Sequence, residues 1–412
     1  MMSGCHPQSE DAASPATRSK TTITALVWAP DWPDQMLELA TAFSKLNPDI
    51  RVNVQFMIGN TVEGNIKPRV ASGNLPDLMS INPNAYAADL ADQGLLENVS
   101  DTTAWNNMLD PLKGDWTSLH GKPFGIAGGV ATTPMYYNKA MFAKAGIQTI
   151  PTNFPAFLAV CEKLKKAGFT PIVWNGSFPN MLGNGPFSAG FANNVVAHDA
   201  NWKAKLAAGT LDLNTPAVAD IFNKISLIPS RGFVQPDYMA TDYDAGIRLF
   251  KDGKAAMAFQ GSWAAGLLLT GNAFDVGVFI PPWNAPGERI VPVLGSETGF
   301  AVGNTPNKAA AMRFLEFIAG KGYPIIQSMR QNIAPFKHVE ETVVSDPRMV
   351  AYAARVSQYQ VTGSPYYSVL PSNSMVKLHE LLHDVLIRKL TPQQAAFRLD
   401  ESVKYQALMH YK

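Results

Sequence analysis

The sequence predicts an α/β protein built as two lobes, and three observations carry that expectation. At 412 residues the chain is longer than one hydrophobic core comfortably serves. Between Thr22 and Gly94 the apolar residues switch repeatedly between the period of a strand and the period of a helix, giving the order strand, helix, strand, helix, strand. A composition of 46% hydrophobic and 16% charged residues is that of an ordinary folded protein.

The N-terminal segment stands apart from this pattern. Residues 1–20 are rich in Ser, Ala, Thr and Pro and cannot bury enough apolar surface to fold, so they read as a flexible tether. Met2-Ser3-Gly4-Cys5 resembles the end of a bacterial lipoprotein signal, in which small residues precede a cysteine that becomes lipidated. The basic and apolar regions of such a signal are not in this sequence. Either Met1 is internal to a longer precursor and Cys5 is the lipidation site, or Cys5 is incidental. Cys161 sits in a helix-like run and reads as a packed thiol; two cysteines so placed exclude a Cys-based zinc site.

The first strand spans Thr22 to Trp28. Pro33 then opens a helix whose Met36, Leu37, Ala40, Phe43 and Leu46 recur at helical spacing, and Asn47-Pro48 stops it. Ile50, Val52, Val54 and Phe56 alternate with polar residues as a half-buried strand does. A second helix ends near Ser72-Gly73, a third strand covers Pro76 to Ile81, and a helix from Tyr86 to Gln93 closes on Gly94. This order implies a parallel sheet covered on both faces.

Ligands of such sheets sit beyond the carboxyl ends of the strands. Here those ends carry Trp28, Asp31, Trp32 and Asn82. Asp31 has two readings of equal weight, a ligand contact or the cap of the Pro-led helix.

Further along, Phe250 to Trp263 forms a Gly-led turn into an apolar strand that ends on Gly261 and Trp263. A tryptophan at a strand end, beside a glycine that lets a small molecule approach the backbone, presents a flat apolar face. The segment reads as a binding surface.

Several segments, in order, resemble the extracellular solute-binding proteins of ABC transporters, family 1, the sugar-binding, maltose-binding-protein-like group. They are Pro76-Asp77-Leu78, Gln93-Gly94-Leu95-Leu96, Gly121 to Ile126, Met135 to Lys139, Phe142 to Ile147, Phe250 to Trp263, and Gly299 to Val302 followed by Pro306-Asn307-Lys308 and Ala311 to Ile318. The resemblance implies a two-lobed periplasmic-binding-protein-like fold with non-contiguous lobes, joined by two or three hinge crossovers. Residues 21–130 and 294–333 would form the N-terminal lobe, and 131–293 and 334–412 the C-terminal lobe. The crossovers would lie near Gly129 to Thr132, Val293 to Gly295 and Ala334-Pro335.

It also implies a function: the substrate-binding subunit of an ABC importer, holding a mono- or oligosaccharide between the lobes and delivering it to a membrane permease. Such a protein is a monomer without enzymatic activity or cofactor. It works at the periplasmic or extracellular face of the membrane, which it touches only through a lipid anchor. Trp263 and Gly261 match a sugar-stacking pair of the family. Trp174 and Glu297 lie where relatives place further contacts, and Tyr366 and Tyr367 lie in the Ser364-Pro365 loop that relatives bring back to the cleft. Trp174 has lobe core as its competing reading and Glu297 a structural anchor beside the hinge; Trp283, in Pro281-Pro282-Trp283-Asn284, either covers the cleft or packs against its lobe. A glutamate that the maltose-specific members carry falls here on Ala131, which argues against maltose.

Two alternatives remain. His379-Glu380-Leu381-Leu382-His383 is an HExxH string, which on a helix places two imidazoles one turn apart for zinc with the glutamate as general base, and Glu401 would be a third ligand of a metallopeptidase. Five residues of this kind arise by chance, and Val376, Leu381, Leu382, Val385 and Leu386 make the segment an ordinary amphipathic helix. A polyol or sugar phosphate is the second alternative, for which Lys67, Arg69 and Arg248 are the available cations. Thirty-four basic against 33 acidic residues leave a charge of +1, so no global field attracts nucleic acid. No window approaches the about 20 apolar residues of a membrane span.

Overall fold

The computed structural model describes residues 20–58, 61–118, 120–338, 346–359 and 362–410. Cys5 lies outside them. Ten strands are described: β1 (Thr21–Val27), β2 (Ile50–Phe56), β3 (Leu78–Ile81), β4 (Val130–Thr132), β5 (Met135–Asn138), β6 (Thr170–Val173), β7 (Ala255–Phe259), β8 (Val276–Phe279), β9 (Leu294–Ser296) and β10 (Gly299–Val302). They form a sheet in the order β10-β3-β1-β2, a second in the order β6-β7-β5-β8, and a ribbon of β4 with β9.

In the first sheet β1 pairs in parallel with β2 from Thr21 opposite Ile50 to Val27 opposite Phe56, and with β3 on its other side. The intervening helices are α1 (Pro33–Leu46), α2 (Val62–Ala71) and α3 (Ala85–Asp92). β10 runs antiparallel to β3, Gly299 opposite Ile81. That strand departs from the all-parallel expectation, because local periodicity cannot register a strand arriving from far downstream.

α1 shows how its sequence sets its face. Met36, Leu39, Ala40 and Phe43 are buried at helical spacing, whereas Leu37 and Leu46, expected inside, are exposed. The helix stops where the Asn47 amide donates to the Phe43 carbonyl at 3.0 Å, just before Pro48. Asp31 is not its cap; Trp32 occupies that position without a side-chain bond.

The second sheet mixes directions, with β6 and β7 parallel and β5 antiparallel to both β7 and β8. Gly253 (φ +66°) makes the turn into β7, in the left-handed region that favours glycine. Helices Ser372–Leu386 and Pro392–His410 pack on each other and on Pro216–Ser230 at this lobe.

Each sheet has its own core. Leu26, Ile81, Trp116, Phe300 and Phe314 fill the first; Phe157, Trp174, Phe222, Phe259 and Trp283 fill the second. Burying each such side chain is worth roughly 1.5–3 kcal/mol. The molecule is thus a two-lobed α/β protein, and the β4–β9 ribbon pairs Val130 with Ser296 and Thr132 with Leu294 where the chain passes between sheets. No helix among the described residues is long and apolar enough to cross a membrane.

Candidate ligand-binding cleft

A cavity of about 740 Å³ opens between the strand ends of the two sheets. Its volume lies within the roughly 300–1,000 Å³ typical of small-molecule sites. From the first lobe it receives Trp28 at the end of β1, Asp31 and Trp32 in the loop before α1, Glu63 on α2, and Asn82 after β3. The second lobe contributes Asn180, Asn184, Tyr243, Trp263, Tyr366 and His379.

Aromatic faces therefore meet from both sides. Trp28 and Trp263 are half-buried. Trp32 is 8% exposed, and the Arg330 guanidinium lies 5.6 Å from its ring centroid, so one indole face is already covered.

The polar rim is built by fixed partners. The Thr298 hydroxyl donates to Asn82 Oδ1 at 2.6 Å. The Asn82 and Asn84 amides donate to Glu63 Oε1 at 3.1 and 2.7 Å. Across the cleft, the Tyr366 hydroxyl lies 2.8 Å from Asn180 Oδ1 and 2.7 Å from His379 Nε2. Burial pushes the His379 pKa down to about 4, so the imidazole is neutral near pH 7. Asp31 accepts from the Tyr243 hydroxyl at 3.3 Å, a hydrogen bond that spans the cleft. Its pKa is pushed up to about 6, mainly by burial and further by Asp244, against the Tyr243 bond and Arg330.

Directly after β9, Glu297 is 2% exposed. Its Oε1 lies 2.9 Å from the Ser262 hydroxyl and accepts from the Asn332 amide at 2.8 Å. Arg330 forms an ion pair with it and also donates to the Gly128 carbonyl at 3.0 Å.

Of the residues expected from sequence, Trp28, Asp31, Trp32, Asn82, Trp263, Glu297 and Tyr366 line the cavity. Three do not, each for a packing reason. Trp174 is 2% exposed in the second core, its backbone bonded in both directions to the Gln235 amide at 3.0 and 2.7 Å. Trp283 is fully buried among Phe154, Phe157 and Phe259, with ring centroids 5.2, 5.5 and 5.2 Å away. Gly261 does not open the backbone to a ligand: a Cβ there would lie 2.2 Å from the Trp263 indole, so the glycine makes room for that ring. The Tyr367 side chain lies outside the described residues.

The HExxH string does not assemble a metal site. His379 turns inward to Tyr366, His383 is 53% exposed beside Asp384, and Glu380 pairs with Lys377 at 2.8 Å. Glu401 faces a separate shallow depression with Lys377 and Tyr405. Among the described residues no three His, Cys, Asp or Glu side chains converge to hold a metal ion. Of the three cations considered for a phosphate, only Lys67 lines the cavity; Arg69 donates to the Gln55 side chain at 2.9 Å and Arg248 is exposed on its helix.

Sequence reasoning missed Glu63, Asn180, Asn184, Tyr243 and Arg330. Asn184 had a visible signal in Gly183-Asn184-Gly185, where a Cβ at Gly183 would come within 2.7 Å of the Tyr366 ring. His379 was visible too, inside a motif that suggested other chemistry.

Comparison with known proteins places this geometry. A multiple sugar-binding protein of Streptococcus mutans is 21% identical over 310 residues, covering 74% of this chain and 73% of the relative. A chitin oligosaccharide binding protein superposes with a TM-score of 0.81 at 20% identity, covering 94% of this chain and 99% of the other. The GacH receptor of Streptomyces glaucescens, solved unliganded and with acarbose, gives 0.79 at 18% identity, covering 95% and 100%. At such identities the structural matches speak to the fold. Residues 38–348 match the profile of a family across most of the chain, and the protein belongs to that family, the bacterial extracellular solute-binding proteins.

Proposed function

We propose that this chain is the substrate-binding subunit of an ABC importer, that it holds a mono- or oligosaccharide in the cleft, and that it performs no covalent chemistry. The observation that carries the reading is the cavity itself: indole faces from both lobes, Trp28 and Trp263, with a rim of carboxylate, amide and hydroxyl groups between them. A sugar ring has an apolar C–H face and a rim of hydroxyls, so it matches aromatic stacking and polar edges together. The sugar-binding relatives point the same way.

In this reading residues 21–130 with 294–333, and 131–293 with 334–412, move as two bodies about the β4–β9 ribbon and the Ala334-Pro335 crossover. A ligand that touches both lobes binds the closed form preferentially and raises its population. The closed monomer is what a permease would meet at the outer face of the membrane, with Cys5 as the lipid anchor. Trp28, Asp31, Asn82, Trp263 and Tyr366 contact the sugar, and Glu297 anchors the hinge.

A thermal-shift screen of the purified chain against neutral mono- and oligosaccharides tests this. A bound sugar at one hundred times its dissociation constant should add roughly 2.7 kcal/mol of stability and change tryptophan emission. A panel that leaves both readouts unmoved would remove the carbohydrate assignment.

A further inference from the structure

We propose that the mouth of this cleft selects carbohydrates carrying a protonated amine, with Asp31 of one lobe and Asp244 of the other receiving the ammonium group, and that it turns away phosphorylated sugars. The inference rests on the carbohydrate-binding reading above and deepens it.

The cleft is rich in acceptors. Its charged lining consists of Asp31, Glu63, Asp242, Asp244 and Glu297 against Lys67 and Arg330. Most of these are already committed. Glu297 pairs with Arg330, Glu63 accepts from Asn82 and Asn84, and Asp242 accepts from the Ala245 backbone at 2.7 Å as the cap of the helix Tyr243–Lys251. Lys67 leans over the Tyr86 ring at 5.3 Å.

Two carboxylates remain. Asp31 is satisfied by a single 3.3 Å bond from Tyr243, and Asp244, the next residue on that helix, is exposed on the cavity wall without an ion pair among the described residues. The negative charge of Asp244 disfavours ionised Asp31, and Arg330 acts in the opposite sense. Closure brings like charges together and strips water from them, so it is opposed until a cation or a proton enters.

An independent feature points to a donor-rich guest. Asn184 is 8% exposed and lines the same cavity, yet its Oδ1 is buried with no hydrogen-bond partner. A buried amide oxygen left in that state is unfavourable. Asp31 and Asp244 thus offer oxygens to the cavity, and Asn184 holds in its wall a further acceptor that lacks a donor. An ammonium supplies three donors and no acceptor, whereas a phosphate supplies acceptors and negative charge. Among sugars, the amine-bearing ones fit that demand.

The same geometry gives a pH signature. Because the Asp31 carboxyl titrates near pH 6, it is protonated in mildly acidic solution and cannot neutralise an ammonium. Amine affinity should therefore rise as pH climbs through about 6. An N-acetylated ligand, uncharged at every pH used, should show no such rise.

The test is calorimetric titration of the full chain, at pH 5 and pH 7, with β-1,4 glucosamine oligomers, their N-acetylated forms, the matching glucose oligomers and glucose 6-phosphate. The glucosamine oligomer should bind about tenfold tighter than the glucose oligomer at pH 7, the change expected for one charge-assisted hydrogen bond of roughly 1.4 kcal/mol. That ratio should shrink at pH 5, and glucose 6-phosphate should bind weakest. Both D31N and D244N should narrow the ratio, and the melting temperature of unliganded D244N should be no lower than the parent's.

Equal affinity for amine and neutral oligomers, or a ratio that neither substitution alters, overturns the amine selectivity while leaving the sugar-binding reading standing. Failure of all four ligands to bind overturns both.

Discussion

The two ends of one cleft treat a carboxylate in opposite ways. Beside the β4–β9 ribbon, Glu297 is enclosed by Ser262, Asn332 and Arg330; in the loop after β1, Asp31 has one long bond from Tyr243 among the described residues. Arg330 stands near both. A carboxylate whose lone pairs are filled by the fold has little left for a ligand, and its removal is felt as lost stability. One that burial has desolvated but not satisfied keeps its capacity for a partner from outside.

The sharpest way to break this contrast is Glu297→Ala. It leaves Arg330 buried beside an empty space, and removing one partner of a buried ion pair costs about 3–5 kcal/mol. Urea unfolding should show that loss, with Glu297→Gln intermediate because it keeps an acceptor for Asn332. A Glu297→Ala variant as stable as the parent, with sugar binding alone abolished, would move Glu297 into the binding rim.

Two tryptophans extend the comparison. Trp283→Ala empties a fully buried site ringed by three phenylalanines and should cost about 3–5 kcal/mol of folding stability. Trp263→Ala, at the half-buried cavity wall, should unfold near the parental urea concentration and instead lose about 2 kcal/mol of sugar affinity, as a central aromatic contact does. Gly261→Ala tests the same wall from behind. Its Cβ would meet the indole at 2.2 Å, so affinity should fall with Trp263 still present. Sugar affinity unchanged in both variants would remove Trp263 from the site.

These contrasts also explain what the sequence could reveal. β1, α1 and β2 were legible because a strand or a helix writes its period locally, and the strand-end loop with Trp28, Asp31 and Trp32 followed from the sheet rule. β10 was not legible as an antiparallel partner, since its pairing with β3 joins distant segments. Trp174 and Trp283 illustrate the harder limit. An indole after a strand looks the same in sequence whether it turns to the cavity, as Trp263 does, or into the core. Asn180, Asn184 and Tyr243 come from separate elements, and only the fold puts them on one wall.

The smallest expected effect is a pair of opposed slopes in stability against pH. His379 binds its proton with a pKa of about 4 in the fold, below its ordinary 6.5. Between those values the unfolded chain holds more protons, so its contribution makes stability fall as pH drops through that window. Asp31 acts in the other sense: its pKa of about 6 stands above the ordinary 3.8, the folded chain holds the extra proton, and its contribution is lost as pH rises through 6. The two partly cancel between pH 4 and 6. Melting temperatures across pH 4 to 7 separate them. Asp31→Asn should steepen the gain of stability with rising pH, and His379→Gln should flatten it. Were both substitutions to tilt the curve the same way, the mouth and the opposite wall would not hold their titrating groups in the contrasting states that the geometry gives them.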